Sequence, residues 1–279
     1  MPSAVAAYGL DTTAGMPDVP LSDEHFTGVL VELQANRLTG LAASAVASGT
    51  LPVTNPQRAL VAAADHRLQC QTVGAERDLL DLVHELRAKD IPHRVLKGPA
   101  YAHRHWSAPE YRPFVDFDLL VRSEDIDHTV LICEQLGATR TQIELRRGFD
   151  QRFGKGITLV GPSGIEWDIH RTLSLGPFGF MIDLEDLWGT HDVVEIAGEQ
   201  LRTPVPEVEF VHACLHVTTT GTARLLSLRD VIQIGTIADL DVVRQITRRW
   251  RATAAVQMAV SEANDRLRLG PAPLTTWAA

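Results

Sequence analysis

One short run, RPFVDFDLLV at residues 112–121, constrains the fold and chemistry of this chain more than any other. Its apolar residues predict a buried strand, and in a strand residues i and i+2 project from the same face. Asp116 and Asp118 therefore share one face, while the residues between and after them face a core. Two like charges side by side near an apolar interior repel each other and are costly to desolvate. A divalent cation is the usual physical reason for such a pair, so the run predicts a Mg²⁺ site for phosphate chemistry.

Length, charge and cysteine content narrow the class of protein. The 279 residues suffice for one large domain or two modest ones, and a formal net charge of −9 argues against bulk nucleic acid as a partner. No run approaches the roughly 18 apolar residues of a membrane span. No Lys or Arg precedes Arg37, so a secretory n-region is missing. Cys70, Cys133 and Cys214 are widely separated and predict reduced thiols. We therefore expect a cytoplasmic protein with no membrane partner.

The chain is predicted to be helical, then mixed, then helical. Residues 1–20 are rich in small residues, Gly and Pro, and we expect them to be poorly ordered. Residues 21–90 predict an N-terminal helical segment, with an N-cap at Asn55 and a break or bend at Gly74. Residues 91–204 predict a mixed α/β core, and residues 205–279 a C-terminal helical domain. The predicted fold class is thus α+β, a small mixed β-sheet flanked by helical segments.

Three more strands are expected after the aspartate strand, at about residues 139–145, 149–160 and 165–170. In the last of them Glu166, Asp168 and His170 alternate with apolar residues and share one face. If that strand lies beside the aspartate strand, three carboxylates from two neighbouring strands can hold two Mg²⁺ ions. In that arrangement Asp116 and Asp118 bridge the ions. Asp168 holds the ion next to an acceptor hydroxyl and serves as its base.

A phosphate-binding turn is predicted just upstream. A short strand at residues 93–96 leads into Lys97 and Gly98, and a helix follows. An ammonium group and the backbone N–H groups at a helix start both receive phosphate oxygens. Arg112 is either a triphosphate contact or an ion-pair partner that holds the aspartates in place.

Taken together, VLKGPAYA at residues 95–102, Arg112, DFDLLV at residues 116–121 and WDIH at residues 167–170 resemble a poorly characterised bacterial nucleotidyltransferase-like family. The family is assigned to the polymerase-beta-type nucleotidyltransferase superfamily, and the resemblance covers roughly residues 90–235. It implies Mg²⁺-dependent transfer of NMP from an NTP, ATP above all, to a small acceptor, with release of pyrophosphate. Some members accompany peptide natural-product gene clusters, so a peptide acceptor is one option.

The resemblance also implies roles for particular residues. Catalytic and metal-binding roles fall to Asp116, Asp118 and Asp168. Nucleotide-binding roles fall on four further residues: Lys97, Gly98, Arg112 and His170. For His170 the residues alone leave two other readings open, a hydrogen bond to a carboxylate or a plain core imidazole.

Several polar residues keep alternatives open. We expect His103 and His105 to be helix-surface residues, because no third zinc ligand stands at a useful spacing. Glu166 is either an exposed charge at a strand edge or a third acid of the site. His212 and His216 are expected to line a groove. Arg224 and Arg229 could reach a substrate phosphate, and Arg229 could instead form an ion pair between domains.

The rival functions are a non-catalytic nucleotide- or peptide-binding module of the same fold, and transfer of the γ-phosphate. If the paired aspartates only repel each other in the empty protein, Asn at either position should abolish turnover and leave stability unchanged or raised.

Overall fold

A mixed five-stranded sheet occupies the centre of the computed structural model, which describes residues 1–144, 146, 148–221, 223–270, 274 and 277. The spatial order is β1-β2-β5-β4-β3. The strands are β1 (His93–Leu96), β2 (Asp116–Val121), β3 (Thr139–Arg140), β4 (Gly156–Val160) and β5 (Glu166–His170). The pair β2·β5 is parallel, and β1·β2, β4·β5 and β3·β4 are antiparallel. The aspartate strand β2 is thus an interior strand, with β1 on one side and β5 on the other.

The N-terminal helical segment precedes the sheet. Its helices are α1 (Pro2–Ala6), α2 (Asp23–Ala35), α3 (Thr39–Ala47) and α4 (Asn55–Ala88). The N-cap of α4 is Thr54, one residue before the predicted Asn55, because Gln57 completes a capping box with Thr54. Gly74 does not break the helix, which runs uninterrupted for 34 residues. One glycine costs only about 1 kcal/mol, and the packing on both sides of it outweighs that amount.

The prediction that residues 1–20 are poorly ordered is wrong for their first part. Val5 and Ala6 are fully buried within α1. Arg229 Nη1 donates to the carbonyl oxygens of Ala6 at 2.9 Å and Tyr8 at 3.0 Å, which occupies the C-terminal end of the helix. The partner lies more than 220 residues away in sequence. Local composition therefore could not reveal that the N-terminal helix is held in place by this contact.

The core adds helices and a hairpin around the sheet: α5 (Lys97–His105), α6 (Ile126–Gln135), α7 (Phe149–Arg152), α8 (Gly176–Met181), β6 (His191–Ile196) and β7 (Glu199–Pro204). Two predicted strands are shorter than expected. The strand predicted at residues 139–145 ends at Arg140, and its last residue, Leu145, lies outside the described residues. The strand predicted at residues 149–160 begins only at Gly156, because Gly148 in the left-handed conformation starts a helical turn.

Helices return after the hairpin as α9 (Pro206–Thr219), α10 (Leu225–Gly235), α11 (Leu240–Arg249) and α12 (Thr253–Leu267). A single buried apolar cluster joins them to the sheet and to the N-terminal helices, through residues such as Leu33, Phe117, Trp167 and Trp250. The α+β prediction, with a small mixed sheet between helical segments, is confirmed. In the part of the chain that the structure describes, every helix is too short or too polar to cross a bilayer.

Candidate active site

The two acidic strands lie side by side in the register that the chemistry needs. Parallel pairing of β2 with β5 sets Asp118 opposite Asp168 and Asp116 opposite Glu166. The alternate residues Phe117 and Trp167 point to the other face, where their rings lie 5.5 Å apart in the core. The period-2 alternation of both strands therefore buries the aromatic face and presents the acidic face.

The acidic face gathers two carboxylates and one imidazole. One ligand atom from each of Asp118, Asp168 and His170 lies within 4.8 Å of the other two. Asp116 is not part of this group: its Oδ1 pairs with Arg37 Nη1 at 3.1 Å, and its side chain is 30% exposed. The predicted convergence of three carboxylates is thus in place for Asp118 and Asp168, with Asp116 at the open side of the group.

Lys97 neutralises the buried aspartate. Its Nζ lies 2.6 Å from Asp118 Oδ1, and its φ of +41° is in the left-handed region that side chains disfavour. Such strain persists where the surrounding structure holds it, often at functional sites. Burial acts to raise the pKa of Asp118, but the ammonium of Lys97 and the hydrogen bond to His170 outweigh it. The pKa is held well below its usual range, and Asp118 stays charged.

His170 contacts the aspartate rather than open space. Its Nε2 lies 2.6 Å from Asp118 Oδ1, and its side chain is only 3% exposed. Burial and the nearby Lys155 lower its pKa, against the opposing effect of Asp118. The Nδ1 atom is buried without a hydrogen-bond partner among the described residues, as an unprotonated nitrogen tolerates better than an N–H. Of the readings of His170, the geometry matches a hydrogen bond to a carboxylate, which orients Asp118, and the nucleotide-binding role stays a prediction.

Gly98 allows the turn to press against the aspartate strand. A Cβ at this position would lie 3.3 Å from the carbonyl oxygen of Asp116 and 3.3 Å from Phe114 Cβ. The absence of a side chain thus lets the first turn of α5 approach the start of β2. Lys97 is brought over the acidic face as a consequence.

All three side-chain nitrogens of Arg112 donate to other groups of the protein. Nε and Nη2 donate to Asp230 at 2.8 and 2.7 Å, and Nη1 donates to the carbonyl oxygen of Gly98 at 3.0 Å. Trp106 Nε1 completes the cluster by donating to Asp230 at 3.0 Å. Of the two readings of Arg112, the geometry supports an ion-pair partner that positions the site. The partner is Asp230 of α10, however, and not the strand aspartates.

A further layer holds the third acid. The hydroxyl of Thr158, which is directly opposite Asp168 in register, donates to Asp168 Oδ1. Lys155 lies near the same group: burial and Lys97 lower its pKa, while Asp118 and Asp168 act to raise it. Lys97 and Lys155 thus both lie within electrostatic reach of these carboxylates.

Each site aspartate keeps one oxygen without a protein donor. Asp116, Asp118 and Asp168 all use Oδ1 to bind Arg37, Lys97 or Thr158. No residue in the described part of the chain donates a hydrogen bond to their Oδ2 atoms. Carboxylate oxygens are the ligands that Mg²⁺ prefers, so the donor set fits a divalent cation.

A cleft opens beside Asp116 and Asp118. Four of its lining residues are basic: Arg37, Lys97, Arg112 and Arg224. His216 of α9 also lines it, and burial together with Lys97 lowers the pKa of His216 to about 3. The side of the cleft opposite the sheet is thus formed by the C-terminal helices, and the histidine there is neutral at physiological pH.

The remaining candidate residues are exposed, buried, or paired with other groups of the protein. Glu166 is exposed at the edge of β5. His103 pairs with Glu76 at 2.7 Å, whereas His105 is buried against Glu209 at 2.6 Å, so the helix-surface prediction is wrong for His105. His212 is buried, and burial holds its pKa well below the usual range. Arg229 binds the N-terminal helix as described above.

Sequence reasoning missed Arg37, Lys155 and Asp230 as parts of the site. Arg37 belongs to the connection between α2 and α3, far from any motif, and no local signal identifies it. Thr158 could have been found, because it is the one hydroxyl residue in the strand GITLV that pairs with the acidic strand.

The chain matches the family described as "Uncharacterised nucleotidyltransferase" over residues 23–268. That range covers most of its length, so the chain belongs to this family. The recognition made from residues 95–102, 116–121 and 167–170 is confirmed, and the match extends well beyond the roughly 90–235 that the motifs suggested. A search of curated proteins found no significant match.

Two solved structures are similar to this chain: one is of an antibiotic-resistance factor and the other is of a nucleotidyltransferase-like protein. The solution structure of the antibiotic-resistance factor ANT(2'')-Ia is 13% identical, with 68% of this chain and 98% of that chain covered and a TM-score of 0.48. The crystal structure of an antigenic nucleotidyltransferase-like protein from Paracoccidioides brasiliensis is 14% identical, with 67% and 92% covered and a TM-score of 0.37.

Proposed function

We propose that this protein is a Mg²⁺-dependent enzyme that transfers NMP from an NTP, ATP above all, to a hydroxyl group of a small-molecule or peptide acceptor. The observation that carries the proposal is the pairing of Asp118 with Asp168 in register on parallel strands, each with one oxygen open. Asp118 lines the cleft next to Lys97, the cation best placed for a phosphate.

The residues that would hold Mg²⁺ are Asp118 and Asp168, with Asp116 at the open side and two ions as the expected number. Bound there, the metal would neutralise phosphate charge and favour deprotonation of the acceptor hydroxyl. His170 keeps Asp118 oriented, and Thr158 keeps Asp168 oriented. Arg112 ties the Gly98 carbonyl to Asp230 and so keeps the Lys97 turn in place.

In the proposed reaction the acceptor oxygen forms a bond to the α-phosphorus of the NTP. The bond from that phosphorus to the bridging oxygen of the β-phosphate breaks, and pyrophosphate leaves with the electron pair. Asp168 takes the proton of the acceptor hydroxyl. Lys97 and the Gly98 backbone N–H bind phosphate oxygens and hold the triphosphate in line.

The proposed compartment is the cytoplasm. Cys70 is exposed, Cys133 and Cys214 are buried, and all three are free thiols. Free thiols persist in a reducing compartment that also supplies NTPs.

The test is incubation of the purified protein with Mg²⁺, each of the four NTPs labelled at either the α- or the γ-phosphate, and a panel of hydroxyl-bearing small molecules and peptides. The proposal predicts label transfer from the α-position only, with equal release of pyrophosphate. Transfer of the γ-label would instead establish a phosphotransferase. Mg²⁺-dependent NTP binding without any transfer, unchanged in Asp168→Asn, would favour a non-catalytic binding module.

A further inference from the structure

Two arginines from opposite helical segments meet at the cleft. Arg37 lies in the connection between α2 and α3, with φ at +56°, and Arg224 is the N-cap residue of α10. Both line the cleft that contains Lys97 and Asp116. A hydrogen bond joins the α2–α3 connection to the start of α10, because the Leu225 N–H donates to Asn36 Oδ1 at 3.0 Å.

The pair carries more positive charge than its surroundings neutralise. Arg37 uses one nitrogen, Nη1, to pair with Asp116, and its side chain stays 26% exposed. Arg224 forms no ion pair with any described carboxylate and is exposed. Burial and the proximity of Arg37 lower the pKa of Arg224, against the opposing effect of Asp116, so the two guanidinium groups repel each other across the cleft. Repulsion of this kind is relieved when an anion binds between them.

A charge count explains why Arg37 should change partner. The carboxylates of Asp116, Asp118 and Asp168 are balanced by three protein cations, which are Arg37, Lys97 and Lys155. A divalent cation on the same carboxylates would add charge and compete with Arg37 for Asp116. A polyphosphate arriving with the metal restores the balance and offers oxygens to the released guanidinium. Arginine suits this exchange, since its planar fork binds phosphate through two N–H groups at once.

We propose that Arg37 leaves Asp116 when the site is loaded and, together with Arg224, binds the polyphosphate tail of the NTP. The pair would contact the β- and γ-phosphates and then the pyrophosphate product, while Lys97 and Gly98 remain next to the α-phosphate. This assignment rests on the proposed function, because it names the group that the same cleft takes.

The test uses inorganic tripolyphosphate as the probe, with Mg²⁺, measured by calorimetry on the full chain. Arg224→Gln and Arg37→Gln should each weaken tripolyphosphate and ATP binding by 10-fold or more, on the order expected for a charged hydrogen bond. Binding of AMP should change less than 3-fold, because AMP lacks the tail. Arg248→Gln, which removes an exposed arginine of α11 outside the cleft, is the charge-matched control and should leave all three affinities unchanged.

A second measurement separates the two arginines. Because Arg37 competes for Asp116, Arg37→Gln should tighten Mn²⁺ binding in the absence of phosphate, followed by electron paramagnetic resonance. Arg224→Gln should leave Mn²⁺ binding unchanged, and Arg37→Lys should restore part of the tripolyphosphate affinity. Opposite effects of Arg37→Gln on the cation and the anion are not expected from a general loss of structure.

Tripolyphosphate affinity that is unchanged in both glutamine variants would overturn the assignment, and so would absence of tripolyphosphate binding to the unmodified protein. NMP transfer that continues in those cases would leave the proposed function standing. Tripolyphosphate binding that depends on both arginines, in a protein that transfers no label from any NTP, would support the arginine assignment and contradict the proposed function.

Discussion

Two groups of carboxylates in this protein use their oxygens differently: Glu209 and Asp230 of the helices, and Asp118 and Asp168 of the strands. Glu209 accepts from Thr203 at Oε1 and from Arg104 at Oε2, where His105 Nε2 also lies 2.6 Å away. Both oxygens of Asp230 are likewise occupied, by Arg112 and Trp106. A buried carboxylate with all its oxygens occupied is stabilised by the protein alone.

The strand aspartates are different. Asp118 is as buried as Asp230, at 4% against 3% exposed, but no described residue donates to its Oδ2. Asp168, in register with it, also keeps Oδ2 open. Neither Oδ2 belongs to the buried side-chain atoms that lack a hydrogen-bond partner, so both remain within reach of solvent and of a ligand. The comparison thus separates carboxylates that hold the fold from carboxylates that are arranged for a ligand.

The largest effect is expected on catalysis, from Asp118→Asn. Loss of a metal ligand and of the partner of Lys97 should lower the rate of NMP transfer by at least about 1000-fold, equivalent to about 4 kcal/mol. Stability should also fall, because the Lys97 side chain is only 15% exposed and would lose its counter-charge. This corrects the expectation from sequence that Asn would be neutral or stabilising. For Asp116→Asn, whose side chain is 30% exposed, unchanged or raised stability stays the prediction. Transfer at the unmodified rate in Asp118→Asn would remove Asp118 from the mechanism.

The next effect is expected on stability, from Asp230→Asn. The variant leaves the buried guanidinium of Arg112 without its counter-charge, and we expect a loss of about 3 kcal/mol or more in the free energy of unfolding. Urea denaturation measures this. The matched control is Asp192→Asn, which removes the half-exposed partner of Arg104 and should cost less than about 1 kcal/mol. Equal losses in the two variants would show that oxygen occupancy does not distinguish these carboxylates.

A smaller effect is expected from pH, through His216. Burial holds the pKa of His216 at about 3 in the folded protein, well below about 6.5 in the unfolded chain. In the unfolded chain His216 therefore binds a proton that it does not bind in the folded protein. The free energy of unfolding falls as the pH drops below about 6.5. At pH 5 this should cost up to about 2 kcal/mol relative to pH 7.

Glutamine at position 216 should remove that loss, so the free energy of unfolding of His216→Gln should fall less between pH 7 and pH 5. Denaturation curves at the two pH values provide the measurement. His128→Gln changes an exposed histidine of α6 and should keep the unmodified pH dependence. The same pH dependence in His216→Gln and the unmodified protein would show that His216 is accessible to protons.

The smallest effect is expected from Thr158→Val. The change keeps the shape of the side chain and removes the donor to Asp168 Oδ1. We expect a loss of about 3- to 10-fold in the rate of transfer, near the 1 kcal/mol of one hydrogen bond, with a similar or smaller effect on stability. If Asp168 needs no orientation, steady-state rates of the variant will equal those of the unmodified protein.

Much of the site could be predicted from the sequence, because it depends on the alternation of acidic and apolar residues along short strands. The i, i+2 spacing of Asp116 and Asp118, and the alternation around Asp168, were sufficient to predict two acidic strands facing the same way. The Lys97–Gly98 turn was predicted from its place between a strand and a helix.

The parts that sequence did not reveal depend on long-range partners. Arg37 meets Asp116 across 79 residues, Arg112 meets Asp230 across 118, and Arg229 meets Ala6 across 223. Periodicity carries no information about such pairs. For this reason the prediction of a poorly ordered N-terminus was wrong, and the role of Arg112 was left open.

The most direct test of the central claim, that the open oxygens of the facing strand aspartates bind a divalent cation, is a Mn²⁺ titration followed by electron paramagnetic resonance. The account predicts saturable Mn²⁺ binding that Mg²⁺ displaces. Asp168→Asn should weaken it by at least 10-fold, while Asp230→Asn, studied under conditions in which it remains folded, should leave it within 3-fold. Mn²⁺ binding of equal affinity in Asp168→Asn and the unmodified protein would contradict the account.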